Sequence, residues 1–330
     1  MTYFTQAVSQ CLQTINVSSK GVEAVVQLRS GALVIASNDC QVYLFALEGP
    51  QYVQKDCVQI KNTPHTIGYD FKREEVYVGC AWGTVEQIDV REDKLRFVQT
   101  HKWSKREISH VTWRMDADVV LSSGFDGVLT VYQPKTQRIL SQTPLVDSPV
   151  RYLRYDDVGG VLYVGTHQAG IPVFQMLEPE KGDVPVPLFT LGLPENARYF
   201  HKDPVRCICF DPRSRYMFSC DHSGKILVWH AGTAGCNERR EALGQVDGHL
   251  GSKLRAMCWL HGPRALLSAG EDGKILVHNV GQRKTCGQWQ AHQDELMGID
   301  EIRFGTAGDH VMSWAKDGRV CIWRLTFRAE

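Results

Sequence analysis

A histidine, a serine and an aspartate, the residue types of a hydrolase triad, recur together in this chain of 330 residues. An aromatic residue completes each set, and the serine precedes the aspartate by four positions. The two sets are His292, Ser313, Asp317 and Trp323, and His101, Ser122, Asp126 and Tyr132. A hydrolase needs one triad at one accessible site beside an oxyanion hole. A set that recurs in separate repeats therefore argues against a catalytic triad.

Two further sets keep this spacing with one replacement each. They are His249, Ser268 and Asp272 with His278 in the aromatic position, and His201, Ser219 and Trp229 with Ser223 in the position of the aspartate. The sequence has no glycine-rich phosphate loop, no H-E-x-x-H and no C-x-x-C pair. Its eleven cysteines lie mostly within strand patterns, which predicts buried, reduced thiols. We expect no metal, no other cofactor and no enzymatic activity.

The aspartates of these sets lie in tight turns between short strands. In residues 265–280 an apolar run is followed by Glu271-Asp272-Gly273, a turn signal, and then by an alternating strand. Equivalent turns fall at positions 39, 82, 126, 168, 223, 272 and 317, with spacings of 43, 44, 42, 55, 49 and 45 residues. A period of about 40–45 residues with four strands per unit is typical of a propeller. Seven turns predict an all-β fold with seven blades.

This repeat resembles the WD40 family over nearly the whole chain, although the Trp-Asp dipeptide that names the family does not occur. The resemblance implies that the His, Ser, Asp and Trp sets tie the loop leading into a blade to its turn. It also implies that an N-terminal strand, near residues 10–17, completes the last blade and closes the ring. We expect one domain over residues 1–330. Residues 1–8 should form a short extension, and residues 177–198 and 231–241 long surface loops.

A fainter similarity links residues 210–224 and 248–273 to WD-repeat proteins that carry a FYVE zinc finger and are endosomal. The finger needs clustered cysteines and a basic, histidine-rich stretch, and this sequence has neither. An alternative function follows, a phosphoinositide-binding propeller in endosomal or vesicle trafficking. Some propellers bind phosphoinositides through a Phe-Arg-Arg-Gly motif. The most similar stretch here is Glu238-Arg239-Arg240-Glu241, which lacks the phenylalanine and has an acidic residue on each side of the arginines.

The charge balance argues against a general nucleic-acid partner. Lysine and arginine number 37, as do aspartate and glutamate, whereas non-specific phosphate binding needs a basic excess. The sequence shows no signal-peptide pattern and no apolar run of about 18 residues. We expect a monomeric propeller within a complex, cytoplasmic or nuclear, that meets membranes only indirectly or through phosphoinositide.

The face with the turns between second and third strands is the usual protein-binding surface of WD40 proteins. In blades two and three this face combines aromatic residues with cations, the types favoured at interface hot spots. The predicted partner contacts are Trp82, Trp103, Lys105, Arg106, Phe125, His222, Glu271 and Lys316. We therefore expect a non-catalytic scaffold and adaptor that binds a protein or peptide, acidic or phosphorylated, on this face.

Overall fold

The computed structural model describes residues 4–176, 178–193, 198–211, 213–231, 241–249, 251–302 and 309–328. Within these ranges, 28 strands form seven antiparallel sheets of four strands each. Three 3₁₀ turns, Ala81–Gly83, Arg91–Asp93 and Pro179–Lys181, are the only helical elements there. None of the described helical segments is long and apolar enough to cross a membrane. The predicted seven-bladed, all-β propeller is confirmed.

The strands follow the chain blade by blade, except that the first strand belongs to the last blade. This first strand is β1, Gln6–Asn16. Blades one to three are β2 Val22–Gln27, β3 Leu33–Ser37, β4 Gln41–Glu48 and β5 Gln51–Gln59; β6 Pro64–Asp70, β7 Glu75–Cys80, β8 Thr84–Asp89 and β9 Arg96–Lys102; and β10 Ile108–Arg114, β11 Val119–Gly124, β12 Val128–Gln133 and β13 Arg138–Pro144.

The remaining blades follow in the same way, innermost strand first. Blades four to six are β14 Val150–Asp156, β15 Val161–Thr166, β16 Ile171–Gln175 and β17 Val186–Leu191; β18 Val205–Asp211, β19 Tyr216–Asp221, β20 Lys225–His230 and β21 Gly244–Asp247; and β22 Leu254–Leu260, β23 Ala265–Gly270, β24 Lys274–Asn279 and β25 Lys284–Gln290. Blade seven is β26 Leu296–Glu301, β27 His310–Ala315, β28 Arg319–Arg328 and, outermost, β1.

The core lies between neighbouring blades, because each sheet buries both of its faces. Strands such as β3 and β23 are buried along their whole length, which explains their continuous apolar runs. Aromatic residues near the end of the innermost strands pack across these interfaces. The Trp259 ring stacks on Phe218 of the preceding blade with centroids 5.1 Å apart, and Trp113 meets Phe71 edge-on at 4.5 Å.

The two ends of the chain close the ring, as predicted. Strand β1 pairs with β28 from Gln6 opposite Arg328 to Asn16 opposite Arg319. The predicted extension at residues 1–8 is wrong in part, because β1 begins at Gln6 and Phe4 is already buried. The Phe4 ring meets Phe327 edge-on, and the Phe4 carbonyl accepts a hydrogen bond from the Asn279 side chain. Residues 1–3 lie outside the described residues.

The predicted loop at 177–198 is also corrected. It contains the 3₁₀ turn Pro179–Lys181 and β17, the outermost strand of blade four. Pro187 lies within this strand, and an edge strand tolerates proline because one side of its backbone has no neighbour to bond. Of the predicted loop at 231–241, residues 232–240 lie outside the described residues. The loop leads to β21, which is only four residues long.

The turn of blade seven is locked to the chain that follows β1, which generates a stability prediction. Gly318 has a left-handed φ of +79°, and a Cβ there would overlap the Ser18 carbonyl. Gly49 has a φ of +60° but open space around it. We expect Gly318→Ala to lower the free energy of unfolding by about 2 kcal/mol more than Gly49→Ala, because both variants meet the left-handed strain and only the first meets the overlap. Urea denaturation followed by tryptophan fluorescence measures both; equal losses would show that the contact at Ser18 does not constrain ring closure.

Candidate functional site

Three blades contain hydrogen-bonded networks that join the loop before the blade to its turn. In blade seven, His292 Nδ1 lies 3.0 Å from Asp317, His292 Nε2 lies 2.9 Å from Ser313 Oγ, and Trp323 Nε1 donates to Ser313 Oγ at 2.9 Å. In blade six His249 contacts Asp272 at 3.0 Å and Ser268 at 3.1 Å. His278 replaces the tryptophan and contacts Ser268 Oγ at 2.8 Å. These contacts place the polar sets inside the fold.

Blade five has a complete network in which the aspartate is not at the expected position. Asp221, two residues before Ser223, lies 2.7 Å from His201 Nδ1, and Ser223 donates to the other oxygen of Asp221 at 2.7 Å. His201 Nε2 and Trp229 Nε1 both contact Ser219 Oγ, at 2.6 and 2.7 Å. The rule that the aspartate follows the serine by four residues did not find Asp221, because Asp221 follows Ser219 by only two. Its place immediately before the turn was a signal present in the sequence.

The network predicted for blade three is wrong. His101 contacts Gln87 of blade two at 3.0 Å, and the Ser122 hydroxyl has no hydrogen-bond partner among the described residues. Asp126 instead accepts from Ser104 Oγ at 2.5 Å and from the Lys105 amide at 3.0 Å. The reason is alignment: His292 precedes its innermost strand by four residues, and the residue at that distance before β10 is Ser104. His101 lies in the previous outer strand.

The networks also set the charge state of their carboxylates. Burial alone would raise the pKa of Asp221, but hydrogen bonding and attraction from His201 outweigh burial and lower it. The pKa of Asp317 is lowered in the same way, against burial, by His292. In blade six, burial lowers the pKa of His278 to about 3, so its imidazole is neutral at pH 7. His201 and His292 are buried in these networks, where each joins a loop to a turn through its aspartate.

The predicted partner contacts divide by exposure. Trp82 is 74% exposed, and Lys105, Arg106 and Lys316 are also exposed. Phe125, His222 and Glu271 are half-buried. Trp103 is a correction: it is 2% exposed and packs with Tyr77 and Tyr132 between blades two and three. The Trp103 carbonyl accepts hydrogen bonds from the side chains of Thr130 and Gln142. Because the ring itself is buried, it is part of the core and is not available to a partner.

Trp82 and the cations of the next loop form one surface, which we call the blade-two patch: Trp82, Lys105, Arg106 and Phe125. The loop runs directly over Gly83, where a Cβ would overlap the carbonyls of Ser104 and Arg106. Trp82 itself has a left-handed φ of +60°, which is costly for a residue with a bulky side chain. Arg106 Nη1 donates to the Phe125 carbonyl at 3.4 Å, and its guanidinium carbon lies 6.0 Å from the Phe125 ring centroid.

A ring of seven side chains surrounds one mouth of the axial channel, and β-bulges build it. In every blade the pairing of the innermost strand shifts at its second residue, which re-aims that side chain. These residues, the mouth ring, are Glu23, His65, Ser109, Arg151, Arg206, Arg255 and Met297. All of them line an axial cavity of about 880 Å³.

The three arginines of the mouth ring lie in consecutive blades, and each is held by a residue sixteen positions later. Arg151 Nε donates to His167 Nε2, and Arg206 Nε donates to His222 Nε2. Arg255 contacts Glu271 at 2.7 Å and Glu295 at 3.0 Å. Lys316 also pairs with Glu295, at 2.6 Å. His222, Glu271 and Lys316 thus hold or neighbour the mouth ring.

Sequence reasoning missed these arginines although a signal was present. Each follows the first apolar residue of its innermost strand, in Val150-Arg151, Val205-Arg206 and Leu254-Arg255. The described residues contain no group of three or more histidine, cysteine, aspartate or glutamate side chains that could hold a metal ion. The groups that this face presents are an exposed indole, exposed cations and the arginines of the mouth ring.

The network of blade five generates a prediction. We expect His201→Ala to lower the free energy of unfolding by about 2–4 kcal/mol, because Asp221 and Ser219 stay buried without their shared partner. His230→Ala, at an exposed strand end, should change it by less than about 0.5 kcal/mol. Urea denaturation at neutral pH measures both variants. Similar values for the two would contradict a stabilising network.

The pH dependence of the same pair has a defined sign. The folded pKa of Asp221 lies below its usual 3.8, so its contribution to stability is present above that value and is lost as the pH falls through the lower folded pKa. The difference in unfolding free energy between wild type and His201→Ala should therefore narrow in acid. A difference that stays constant from neutral pH down to strongly acidic pH would show that Asp221 does not depend on His201.

Comparisons with known proteins agree with this architecture. The family model "WD domain, G-beta repeat" matches residues 195–230, which include the innermost three strands of blade five. The WD40 β-propeller domain of Doa1 superposes with a TM-score of 0.77, 15% sequence identity and coverage of 96% of both chains. At that identity the likeness concerns the fold.

Two curated relatives share more sequence identity with the chain but cover less of it. The chain is 24% identical over 226 residues to the WD repeat and FYVE domain-containing protein 1 of Mus musculus, which covers 68% of this chain and 51% of the relative. Protein hir1 of Schizosaccharomyces pombe is 23% identical over 138 residues, 38% of this chain and 14% of that protein. The chain thus spans about half the length of the mouse relative. The chain is therefore a seven-bladed β-propeller that contains one stretch matching the WD40 repeat model and has the fold of a solved WD40 propeller.

Proposed function

We propose that this propeller is a non-catalytic interaction scaffold that binds a partner protein or peptide through the blade-two patch. WD40 propellers commonly bind proteins and are generally not enzymes. The observation that carries the proposal is Trp82, a 74% exposed tryptophan beside two exposed cations. An adaptor role in a larger complex, in the cytoplasm or nucleus, is part of the proposal.

The backbone at Trp82 supports a binding role. A tryptophan with φ of +60° is a strained conformation, and such strain persists only where the surroundings impose it. Here Lys102 Nζ donates to the Trp82 carbonyl, and Gly83 allows the loop at residues 104–106 to lie directly against the turn. The turn therefore presents the indole to solvent, where it can anchor a partner.

The cations beside Trp82 are available for a partner. Lys105 and Arg106 form no ion pair with any carboxylate that the structure describes, and both are exposed. The loop that carries them is fixed by Asp126, which accepts from Ser104 and from the Lys105 amide. A preorganised loop loses less entropy on binding, which favours affinity. An aromatic anchor flanked by fixed cations suits an acidic segment.

The alternative function, a phosphoinositide-binding propeller, predicts binding to vesicles that contain phosphatidylinositol 3-phosphate. Arg239 and Arg240, the nearest basic motif for such binding, lie outside the described residues. The mouse relative is named for its WD repeats and a FYVE domain, and this chain spans only about half of that relative.

The test is affinity purification from native lysate with cross-linking, so that contacts are mapped to residues. Trp82→Ala plus Arg106→Glu should weaken the captured partner at least about tenfold, since hot-spot truncations typically cost about 1–4 kcal/mol. The matched control is Phe97→Ala plus Arg96→Glu, an exposed aromatic and arginine on β9, the outer strand of the same blade.

Two results would count against the proposal. Equal loss of the partner in the control pair would mean that the perimeter of blade two is the interface. Cross-links that avoid residues 82–106 in the wild type would place the contact elsewhere. Melting temperatures of all variants establish first that each one is folded.

A further inference from the structure

We infer that Arg151 and Arg206, at the mouth of the axial channel, bind the phosphate group of a phosphorylated residue in a peptide partner. The inference deepens the proposed function and rests on it, since it names the chemistry of the partner. It adds a second contact region, which lies at the axis and not in the blade-two patch.

The first argument is the partner that each arginine has. Both guanidinium groups donate through Nε to a histidine ring nitrogen, His167 for Arg151 and His222 for Arg206. Burial, together with repulsion from Arg206 and other cations, lowers the pKa of His222 to about 4. This imidazole is therefore neutral at pH 7 and orients Arg206 without balancing its charge. The two terminal nitrogens of each guanidinium keep their donors for a ligand.

The second argument is the crowding of positive charge. Burial and the nearby Arg151 and Arg255 lower the pKa of Arg206 to about 10. Burial and Arg255 also lower the pKa of Arg151, although Glu107 opposes this change. Neither arginine has a carboxylate within ion-pair distance among the described residues, whereas Arg255 has two. A bound anion would relieve the repulsion in the mouth ring.

The third argument is rigidity. The guanidinium carbon of Arg151 lies 4.0 Å from the Phe125 ring centroid, so the arginine is stacked on one side and hydrogen-bonded at Nε. Each arginine is also the bulge residue of its strand, which fixes the direction in which the side chain leaves the sheet. Arginines fixed in this way lose little freedom when a ligand binds.

The geometry favours a phosphate over a carboxylate. A carboxylate has two oxygens and satisfies one guanidinium fork, whereas a phosphate monoester carries about −1.5 to −2 charges and three terminal oxygens, enough for two forks. A peptide is favoured over a membrane because Glu23, Glu271 and Glu295 stand around the same mouth and oppose a broad anionic surface. Phe125 also joins the mouth ring to the blade-two patch, which gives a peptide a continuous path.

The experiment uses the full chain and short degenerate peptides on beads, with a fixed central phosphoserine in one library and serine in the other. We expect the phosphoserine library to retain the protein at least about tenfold better. Arg151→Gln plus Arg206→Gln should abolish this preference, and Arg151→Lys plus Arg206→Lys should keep only part of it, because lysine keeps the charge and loses the fork.

The matched control is Arg138→Gln plus Arg213→Gln, which removes the same charge from two exposed arginines away from the mouth ring. If the phosphoserine library retains this control variant as well as it retains the wild type, the inference is supported. Equal retention of both libraries by the wild type, or equal loss in the control pair, would overturn it. A third result would favour a lipid headgroup and overturn the inference. In that case the protein would bind phosphatidylcholine vesicles that contain phosphatidylinositol 3-phosphate, Arg151→Gln plus Arg206→Gln would abolish this binding, and the phosphoserine library would not retain the protein.

Failure here can be told apart from failure of the proposed function. A partner that requires Trp82 and Arg106 while neither library retains the protein overturns the phosphate site and leaves the scaffold intact. In the opposite case, the phosphoserine library retains the protein through Arg151 and Arg206, but no captured partner depends on Trp82. That result supports the phosphate site and places the interface at the axis.

Discussion

The pairing of β1 with β28 is the interaction on which the rest of the structure depends. Each blade buries its two faces against its neighbours, so blades one and seven each have one uncovered face until the ring is closed. Closure joins the two ends of the chain through ten residue pairs, interrupted by one register shift near Cys11. The turn at Gly318 and the backbone around Ser18 then bring the first innermost strand, β2, into place beside β26.

The hydrogen-bonded networks fix the loops and turns on the face that carries the turns between second and third strands. In blades five, six and seven a histidine from the preceding loop is bound to an aspartate beside the turn, so loop and turn hold one another. In blade three Ser104 replaces the histidine and holds the same aspartate position through a shorter side chain. That substitution leaves Trp103 to fill the space between blades two and three, and it leaves Lys105 and Arg106 exposed above it. The blade-two patch is thus a consequence of how its loop is anchored.

Periodicity was enough to predict the number of blades, because the turns recur along the chain. The closure of the ring was implied by the resemblance to WD40 proteins. Features that depend on local alignment were not predictable in the same way. His101 and Ser104 differ by three positions, and only the start of β10 decides which one meets Asp126. Trp82 and Trp103 are both tryptophans outside the strands, yet Trp103 is buried and Trp82 is exposed, because a strained turn holds Trp82 outward. No pattern in a single repeat distinguishes these cases.

The net charge of the chain is balanced, but its arginines are of two kinds that lie at opposite ends of the innermost strands. At the far ends of the innermost strands, arginines bridge neighbouring blades through aspartates: Arg73 binds Asp118 at 2.8 Å, Arg215 binds Asp156 at 2.6 Å and Arg264 binds Asp211 at 2.7 Å. These charges are neutralised within the fold and stabilise it. At the opposite ends, Arg151 and Arg206 are held by imidazoles, and their charge is left for another molecule. The same side chain is therefore structural on one face and available for recognition on the other, and the partner beside it decides which.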